Sequence, residues 1–341
     1  MADGSAPFSN GDATRAGGPL VSVILPTRNR AGLLERALGS ALAQEAVAFE
    51  VLVVDDASTD DSPGLLAALA ARDGRVRVLR QPERHGAAVA RNRGAAEASA
   101  PFLAFLDDDD EWLPGKLQRQ VDAAARSDAG VVSCRFAEVA ADGTAVPAGR
   151  VDLGMGRART TLARGNVLGL SATMVRRDVF RQVGGFDARL PRLQDWDLWI
   201  RLAAVASFLH VPDTLAVIHR SRDSISGDAR ALVRAAEILA AKHAPDASRS
   251  GPRDGGTPGL TAAEHADLLL SLARLLVRNG EDGIGRRLAV RALAAPPWSP
   301  RRVATGLLMS LAPGAYRKVT ESMIRHAGGR RRLTPDRRRG A

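Results

Sequence analysis

Only one cysteine, Cys134, occurs among the 341 residues. No intramolecular disulfide can form, and the chain suits a reducing compartment. In the run Val131-Val-Ser-Cys134 the thiol reads as a small buried hydrophobe. Aromatic residues are scarce, at 4% with a single tyrosine, which leaves packing to Ala, Leu and Val. No uninterrupted apolar stretch reaches the roughly 18 residues of a membrane span, and the best candidate, Leu268 to Val277, is broken by Arg274. Met1-Ala-Asp-Gly-Ser-Ala-Pro7 lacks the basic and apolar segments of a secretory signal, so none is expected. The six histidines and one cysteine show no zinc-ligand spacing. Neither a P-loop nor a G-x-S-x-G nucleophile turn is present. Structural zinc, serine hydrolysis and P-loop phosphoryl transfer therefore drop out.

What is abundant is charge and a strand–helix rhythm. The net charge of +10 favours anionic partners such as nucleotide phosphates or lipid head groups. No recognised nucleic-acid module accompanies the arginines, so nucleic acid is not expected as a partner. Residues 1–19, rich in Gly, Ala, Ser and Asp, read as a disordered leader. From Leu20 strands alternate with helices. Val21 to Leu25, Phe49 to Val54, Val76 to Leu79 and Phe102 to Leu106 are the strands. Helical spacing runs through Leu34, Leu38, Ala41 and Leu42, after Ser62-Pro63, and over Ala87 to Ala98. This alternation predicts an α/β fold with a mostly parallel, Rossmann-like sheet flanked by helices. A looser stretch follows, in which a strand from Val131, a Gly/Arg-rich segment over Gly154 to Gly165 and Leu170 to Val175 suggest mixed sheet and loops, then a helix over Asp195 to Ala204 and a strand over Thr214 to His219. From Asp228 the pattern is helical only. A linker over 244–259 is dense in Pro, Gly, Ser and Asp, and a basic tail over 329–341 reads as disordered.

The feature richest in chemistry is Asp107-Asp-Asp-Asp110, directly after an apolar strand. Ligands of open α/β sheets bind beyond the carboxyl ends of strands. Four adjacent carboxylates repel one another unless a cation neutralises them, and a hard divalent metal does so. A solvated acidic loop is the competing reading.

Five segments in order decide between these. They are Val21-Ser-Val-Ile-Leu-Pro-Thr-Arg-Asn-Arg30, Val53-Val-Asp-Asp-Ala-Ser-Thr-Asp60, His85-Gly-Ala-Ala-Val-Ala-Arg-Asn-Arg-Gly94, Phe105-Leu-Asp-Asp-Asp-Asp-Glu-Trp112 and Gln194-Asp-Trp-Asp-Leu-Trp199. Over residues 20 to 226 this pattern resembles family 2 glycosyltransferases. The resemblance implies a GT-A catalytic domain over 20–227, followed by a helical region over 228–328. It implies inverting transfer of a sugar from a nucleoside-diphosphate sugar, UDP-linked by expectation, to a hydroxyl of a glycan, glycolipid or natural product. Mn²⁺ or Mg²⁺ is the implied cofactor.

The resemblance also assigns residues. Pro26 and Thr27 would meet the nucleotide, Arg30 its phosphates, and Asp56 an N–H of the base. Arg91 would reach the nucleotide and brace the acidic run. By alignment with the family's Asp-Ser-Asp-Asp form, Asp109 is the metal ligand, and Asp107 or Asp108 contacts the ribose or a metal-bound water. The identity of all four aspartates leaves that register open by one residue. Asp195 matches the catalytic base, preceded here by Gln194 where the family usually has Glu. In some relatives a histidine at the place of His219 joins the metal. Gly184-Gly185-Phe186-Asp187 looks like the acceptor-side turn, and Trp196 and Trp199 read as packing.

Local alternatives stand beside these roles: Asn29 as a helix cap, Asp55 and Asp56 capping the next helix, and Asp195 capping its own. A sugar nucleotidyltransferase would need a Gly-rich triphosphate loop after the first strand, which Pro26-Thr-Arg-Asn-Arg30 is not. A non-catalytic binding or scaffold protein is the other rival. The expected location is cytoplasmic or peripheral on the inner membrane face. The C-terminal helices read as solvated surface, and the terminal arginines as lipid-docking or disordered.

Overall fold

The computed structural model describes residues 18–140, 142–148, 153, 157–220, 228–245, 259–294, 296 and 299–328. Most of the expected leader, most of the 244–259 linker and the whole 329–341 tail lie outside the described residues.

Strand β1 (Val21–Thr27), helix α1 (Ala31–Leu42), β2 (Phe49–Asp55), α2 (Ser62–Arg72), β3 (Val76–Arg80), α3 (Ala87–Glu97) and β4 (Phe102–Phe105) realise the expected alternation. β1, β2 and β4 are buried along their whole length, as near-continuous apolar runs require. Then follow β5 (Glu111–Trp112), α4 (Lys116–Ala125), β6 (Val131–Val139), β7 (Ala145–Ala148), α5 (Ala158–Ala163), a 3₁₀ turn (Leu170–Ala172), β8 (Thr173–Arg176), α6 (Arg177–Gln182), α7 (Gln194–Leu202) and β9 (Phe208–His219). The stretch Leu170 to Val175, expected within mixed sheet and loops, is thus divided between a turn and a strand. Its first half is a 3₁₀ turn that carries Ser171 under the acidic run.

The sheet order is β3-β2-β1-β4-β8-β6-β9-β5, with β7 on β6. The half from β3 to β4 is wholly parallel, while β8 runs antiparallel to both β4 and β6. Register brings the motif ends together. Thr27 is opposite Asp55 and Ile24 is opposite Phe105, so the chain leaves β1, β2 and β4 along one edge. The Asp56 N–H donates to the Thr27 carbonyl at 2.9 Å, and the Leu106 N–H to that of Ile24 at 3.1 Å.

Three of the few aromatics pack together behind this edge. Phe105, Phe180 and Phe186 pack with ring centroids 5.2–5.7 Å apart, a spacing that favours tilted and edge-on contacts. Helix α3 approaches the sheet closely. A Cβ on Gly94 would lie 2.7 Å from Ile24 Cγ2 and 3.1 Å from Val54 Cγ2. Gly94→Ala is expected to cost about 1–3 kcal/mol through overpacking, read as a lower denaturant midpoint with an unchanged slope.

The C-terminal helices are α8 (Ala229–Lys242), α9 (Ala262–Arg278), α10 (Asp282–Leu293), α11 (Pro300–Leu311) and α12 (Pro313–Gly328). α9 starts with a capping box, Thr261 with Glu264, which fixes its first turn. One apolar core runs without a break from Ile24 and Phe105 through Trp199 to Leu239, Leu272 and Met309. The helical region therefore shares its core with the α/β part across the boundary expected at Asp228.

Candidate active site

The acidic run is a tight turn, closed by the Asp110 N–H donating to the Asp107 carbonyl at 3.1 Å. That turn sends four identical side chains in different directions. Asp107 accepts from Arg91 Nη2 at 2.6 Å. Asp108 accepts from Thr27 Oγ1 at 2.8 Å and from Arg30 Nη1 at 3.0 Å. Asp109 accepts from the same Arg30 nitrogen at 2.7 Å. Asp110 points inward, accepting from Ser171 Oγ at 2.5 Å and from the His219 backbone N–H at 3.0 Å. Burial pushes the Asp108 carboxyl up to about 6, against the opposing pull of Arg30 and Thr27. Burial, reinforced by the charge of Asp107, raises Asp110 well above the carboxylate range.

One oxygen each of Asp107, Asp109 and Asp110 lie within 4.8 Å of one another. Three hard oxygen donors at this spacing suit Mg²⁺ or Mn²⁺. The fit rests on this donor set: three carboxylates from one turn that can offer an oxygen each to a single centre. Asp110 had no role of its own in the sequence reading, because a run of one residue type carries no signal for which member faces inward. The His219 ring is turned to Glu111, with Nε2 2.6 Å from Oε1. Its backbone, not its imidazole, is what reaches the aspartates.

A cleft of about 770 Å³ opens over this turn. Pro26, Thr27, Arg30, Asp56, Arg91, Asp107, Asp108 and Asp109 all line it, so the residues expected at donor and metal converge. Asp56 is held by three donors: Gln81 Nε2 at 2.6 Å and the His85 N–H at 2.7 Å on Oδ1, and the Gly86 N–H at 2.8 Å on Oδ2. It caps no helix. A carboxylate has about four acceptor sites, so Oδ2 keeps capacity for one more donor. Asn29 likewise caps nothing. In a left-handed conformation at φ 53°, it accepts from the Thr59 N–H at 2.7 Å and ties the loop after β2 to β1.

Gln194 also lines the cleft, and Asp195 follows it in the first turn of α7. Its carboxylate accepts from Asn166 Nδ2 at 2.8 Å and from the Trp196 N–H at 2.8 Å. Surrounding protein desolvates it and raises its carboxyl above the ordinary aspartate range. The Asn166 and Trp196 bonds and the charge of Arg91 oppose this, and the charge of Asp107 adds to it. Arg91 links the acidic turn to α7: Nη2 on Asp107, and Nη1 on Gln194 Oε1 at 3.2 Å. Gln194 thus has a contact that its place beside Asp195 in the sequence did not signal. Asn166, 29 positions from Asp195, had no sequence signal at all. Trp196 and Trp199 are buried, and Trp196 Nε1 donates to the Leu162 carbonyl at 2.6 Å. Gly184-Gly185 turns with φ 78° and 69°, and Asn92 pins the turn by bonding both the N–H and the carbonyl of Phe186 at 2.8 Å. Cys134 is buried, and burial pushes its thiol up to about 11.

Comparisons with known proteins agree with this geometry. The family model described as "Glycosyl transferase family 2" matches residues 22–184. A GalNAc(5)-diNAcBac-PP-undecaprenol beta-1,3-glucosyltransferase of Campylobacter jejuni is 42% identical over 100 residues, 29% of this chain and 32% of that protein. A mannosyltransferase of Pyrobaculum calidifontis, solved with GDP-Man and Mn²⁺, superposes with a TM-score of 0.57 at 22% identity, over 91% of this chain and 86% of that one. S. aureus TarS 1–349, solved with UDP-GlcNAc, superposes at 0.60 and 17% identity, over 90% and 92% of the two chains. The chain spans half or less of the length of several curated relatives that it matches, 50%, 35% and 28% in three of them. With a GT-A-like fold, an aspartate turn at the carboxyl edge of the sheet and a family match over residues 22–184, this chain carries a glycosyl transferase family 2 domain.

Proposed function

We propose that the protein is an inverting glycosyltransferase. It moves a sugar from a nucleoside-diphosphate sugar to a hydroxyl of a glycan, glycolipid or natural product. The observation that carries this is a cleft lined by the acidic turn and by Gln194, with Arg91 bonded to both Asp107 and Gln194 and the desolvated carboxylate of Asp195 next in sequence to Gln194. Residues 20–227 form the transferase unit in this reading and 228–328 its helical appendage. Support for sugar transfer as the activity comes from the names of relatives such as the glucosyltransferase above, and support for a nucleotide-sugar donor from the neighbours solved with GDP-Man and UDP-GlcNAc.

Asp56 reads an N–H edge of the base, with UDP the proposed nucleotide and GDP its competitor. Pro26, Thr27 and Asp108 line the nucleoside, and Arg30 and Arg91 face the phosphates. Asp109, with Asp107 and Asp110, holds Mn²⁺ or Mg²⁺; His219 contributes its backbone to Asp110. The metal, when bound, supplies Lewis-acid neutralisation of the leaving diphosphate. Asp195 takes the proton of the acceptor hydroxyl as that oxygen attacks the anomeric carbon from the face opposite the leaving group. Peripheral membrane contact belongs to this reading, because one relative's name specifies a lipid-linked substrate. No helix among the described residues is long and apolar enough to cross a membrane.

Thermal melting with UDP, GDP, dTDP, CDP and ADP, each with and without Mn²⁺, tests the donor site. A ligand at about 100 times its Kd adds about 2.7 kcal/mol. We expect a shift with UDP that needs Mn²⁺ and disappears in Asp109→Asn. A well-folded protein that shifts with none of the five nucleotides would remove the donor-site assignment.

A further inference from the structure

The positive charge of this chain is not spread over it. Residues 283–341 contain 14 Arg or Lys against 2 Asp or Glu, a net +12, while the whole chain carries +10. The first 282 residues are therefore slightly acidic, at −2. Within the described part of that basic segment, α10 and α11 pack on α9 and against each other. Their approach is close, since a Cβ on Gly306 would lie 2.7 Å from the Leu293 side chain.

The outer stripe of α10 is Arg286, Arg287, Val290 and Arg291, all exposed, while Leu288, Ala289 and Ala292 face the core. None of those three arginines makes an ion pair among the described residues. The outer stripe of α11 is Arg301, Ala304, Leu307, Leu308 and Leu311, while Gly306 and Met309 are buried. Leu311 is 77% exposed and Val290 53%. A helix whose outward face is leucine, beside one whose outward face is arginine, is not an ordinary solvated surface.

We propose that the outer face of α10 and α11 docks on the surface of a bilayer containing anionic lipid, with the leucines of α11 entering the interface and the arginines of α10 meeting the head groups. Three considerations select this occupant. A second copy of the same face would bring a strongly cationic surface against itself, which like-charge repulsion opposes. Nucleic acid would satisfy the arginines and leave the leucine stripe without a partner. A lipid surface satisfies both, as interfacial helices with basic and leucine-rich faces do. The inference does not depend on the donor chemistry proposed above.

The test is co-sedimentation of the full chain with vesicles of phosphatidylcholine alone or with about 30% phosphatidylglycerol. The partition coefficient is expected to be at least about tenfold higher on the anionic vesicles, and to fall as salt is raised from about 0.1 to about 0.5 M. The variant Leu307→Gln/Leu308→Gln/Leu311→Gln is expected to lose about tenfold in partition while keeping its melting temperature and its nucleotide-dependent shift. Arg286→Gln/Arg287→Gln/Arg291→Gln is expected to remove the preference for anionic vesicles. The proposal is overturned by equal partition onto both vesicles, or by none. It is also overturned if binding survives both helix variants and is lost only on removing residues 329–341, or if the leucine variant abolishes a concentration-dependent dimer and leaves partition unchanged. The nucleotide shift, measured on the same samples, separates failure of this surface from failure of the donor site.

Discussion

Replacing Asp195 with asparagine should lower kcat by about 10²–10⁴-fold, the usual contribution of a general base, and leave the Mn²⁺-dependent nucleotide shift intact. Asparagine preserves the size of the side chain and keeps one oxygen, enough for the Trp196 N–H on Oδ1 but not also for Asn166 on Oδ2, so the position of the side chain is retained while proton acceptance is lost. The same carboxylate sets the acidic limb of the pH profile. Because desolvation raises it, kcat/KM should fall with decreasing pH at a point above the ordinary aspartate value of about 3.9. Asn166 stabilises the charged form. Asn166→Ala removes a bond that lowers the carboxyl, so the limb should move to higher pH while the rate on the plateau changes much less. Turnover near the wild-type level in Asp195→Asn would remove the assignment of the base, and an unshifted limb in Asn166→Ala would remove the coupling.

The parts of this site legible in the sequence are those that local pattern determines. Apolar runs ending in Thr27, Asp56 and Asp107 placed three strand ends at a carboxyl edge, because parallel strands joined by helices all leave the sheet on one side. The illegible parts depend on contacts between distant residues. Asp107 to Asp110 are chemically identical, and only the turn geometry, with Ser171 and the His219 backbone arriving from two other elements, sends Asp110 inward and Asp108 toward Thr27. The antiparallel insertion of β8 between β4 and β6 was equally hidden. Leu170 to Val175 has the composition of a strand, and only its place in the sheet makes the first half a turn. The leucines of α11 misled in the opposite direction. A helical period identifies the helix, but with apolar residues on both faces it does not say which face the core takes.

The buried charge cluster under α7 was the least legible feature and should have the largest effect on stability. Asp197, fully buried two positions after the proposed base, accepts on Oδ2 from Arg201 Nε at 2.9 Å, Arg201 Nη2 at 2.6 Å and Lys242 Nζ at 2.9 Å, and on Oδ1 from His243 Nε2 at 2.9 Å. Lys242 also reaches Asp187 at 2.7 Å. The end of α8 is thereby clamped to the helix that carries Asp195 and, through Asp187, to the turn at Gly184-Gly185. Asp197→Ala leaves Arg201 and Lys242 without their shared anion, and breaking a buried pair in this way costs about 3–5 kcal/mol. The milder Asp197→Asn should cost less and still fold, and it carries the pH test. Burial alone would raise the Asp197 carboxyl, but the His243 bond and the charges of Arg201 and Lys242 more than offset this and hold it far below the carboxylate range. A depressed carboxyl contributes stability above the unfolded pKa, about 3.9, and loses it as pH falls through the folded value. Burial also lowers His243. Neutral His243 is thus favoured by the fold, and its contribution, present above about 6.5, is lost as pH falls through its own lowered value. Both groups act in the same direction, so wild-type stability should decline with acid first below about pH 6.5 and again below about pH 4. Asp197→Asn also removes the bond and charge that raise His243, so the difference in unfolding free energy between wild type and the variant should widen as pH falls below about 6.5 and should narrow below about pH 4. A difference that fails to narrow below about pH 4 would mean that Asp197 is not held ionised by this cluster. If Asp197→Asn also lowers kcat without changing the nucleotide shift, the clamp from α8 positions the base, and the helical region is part of the catalytic unit as well as its neighbour in the core.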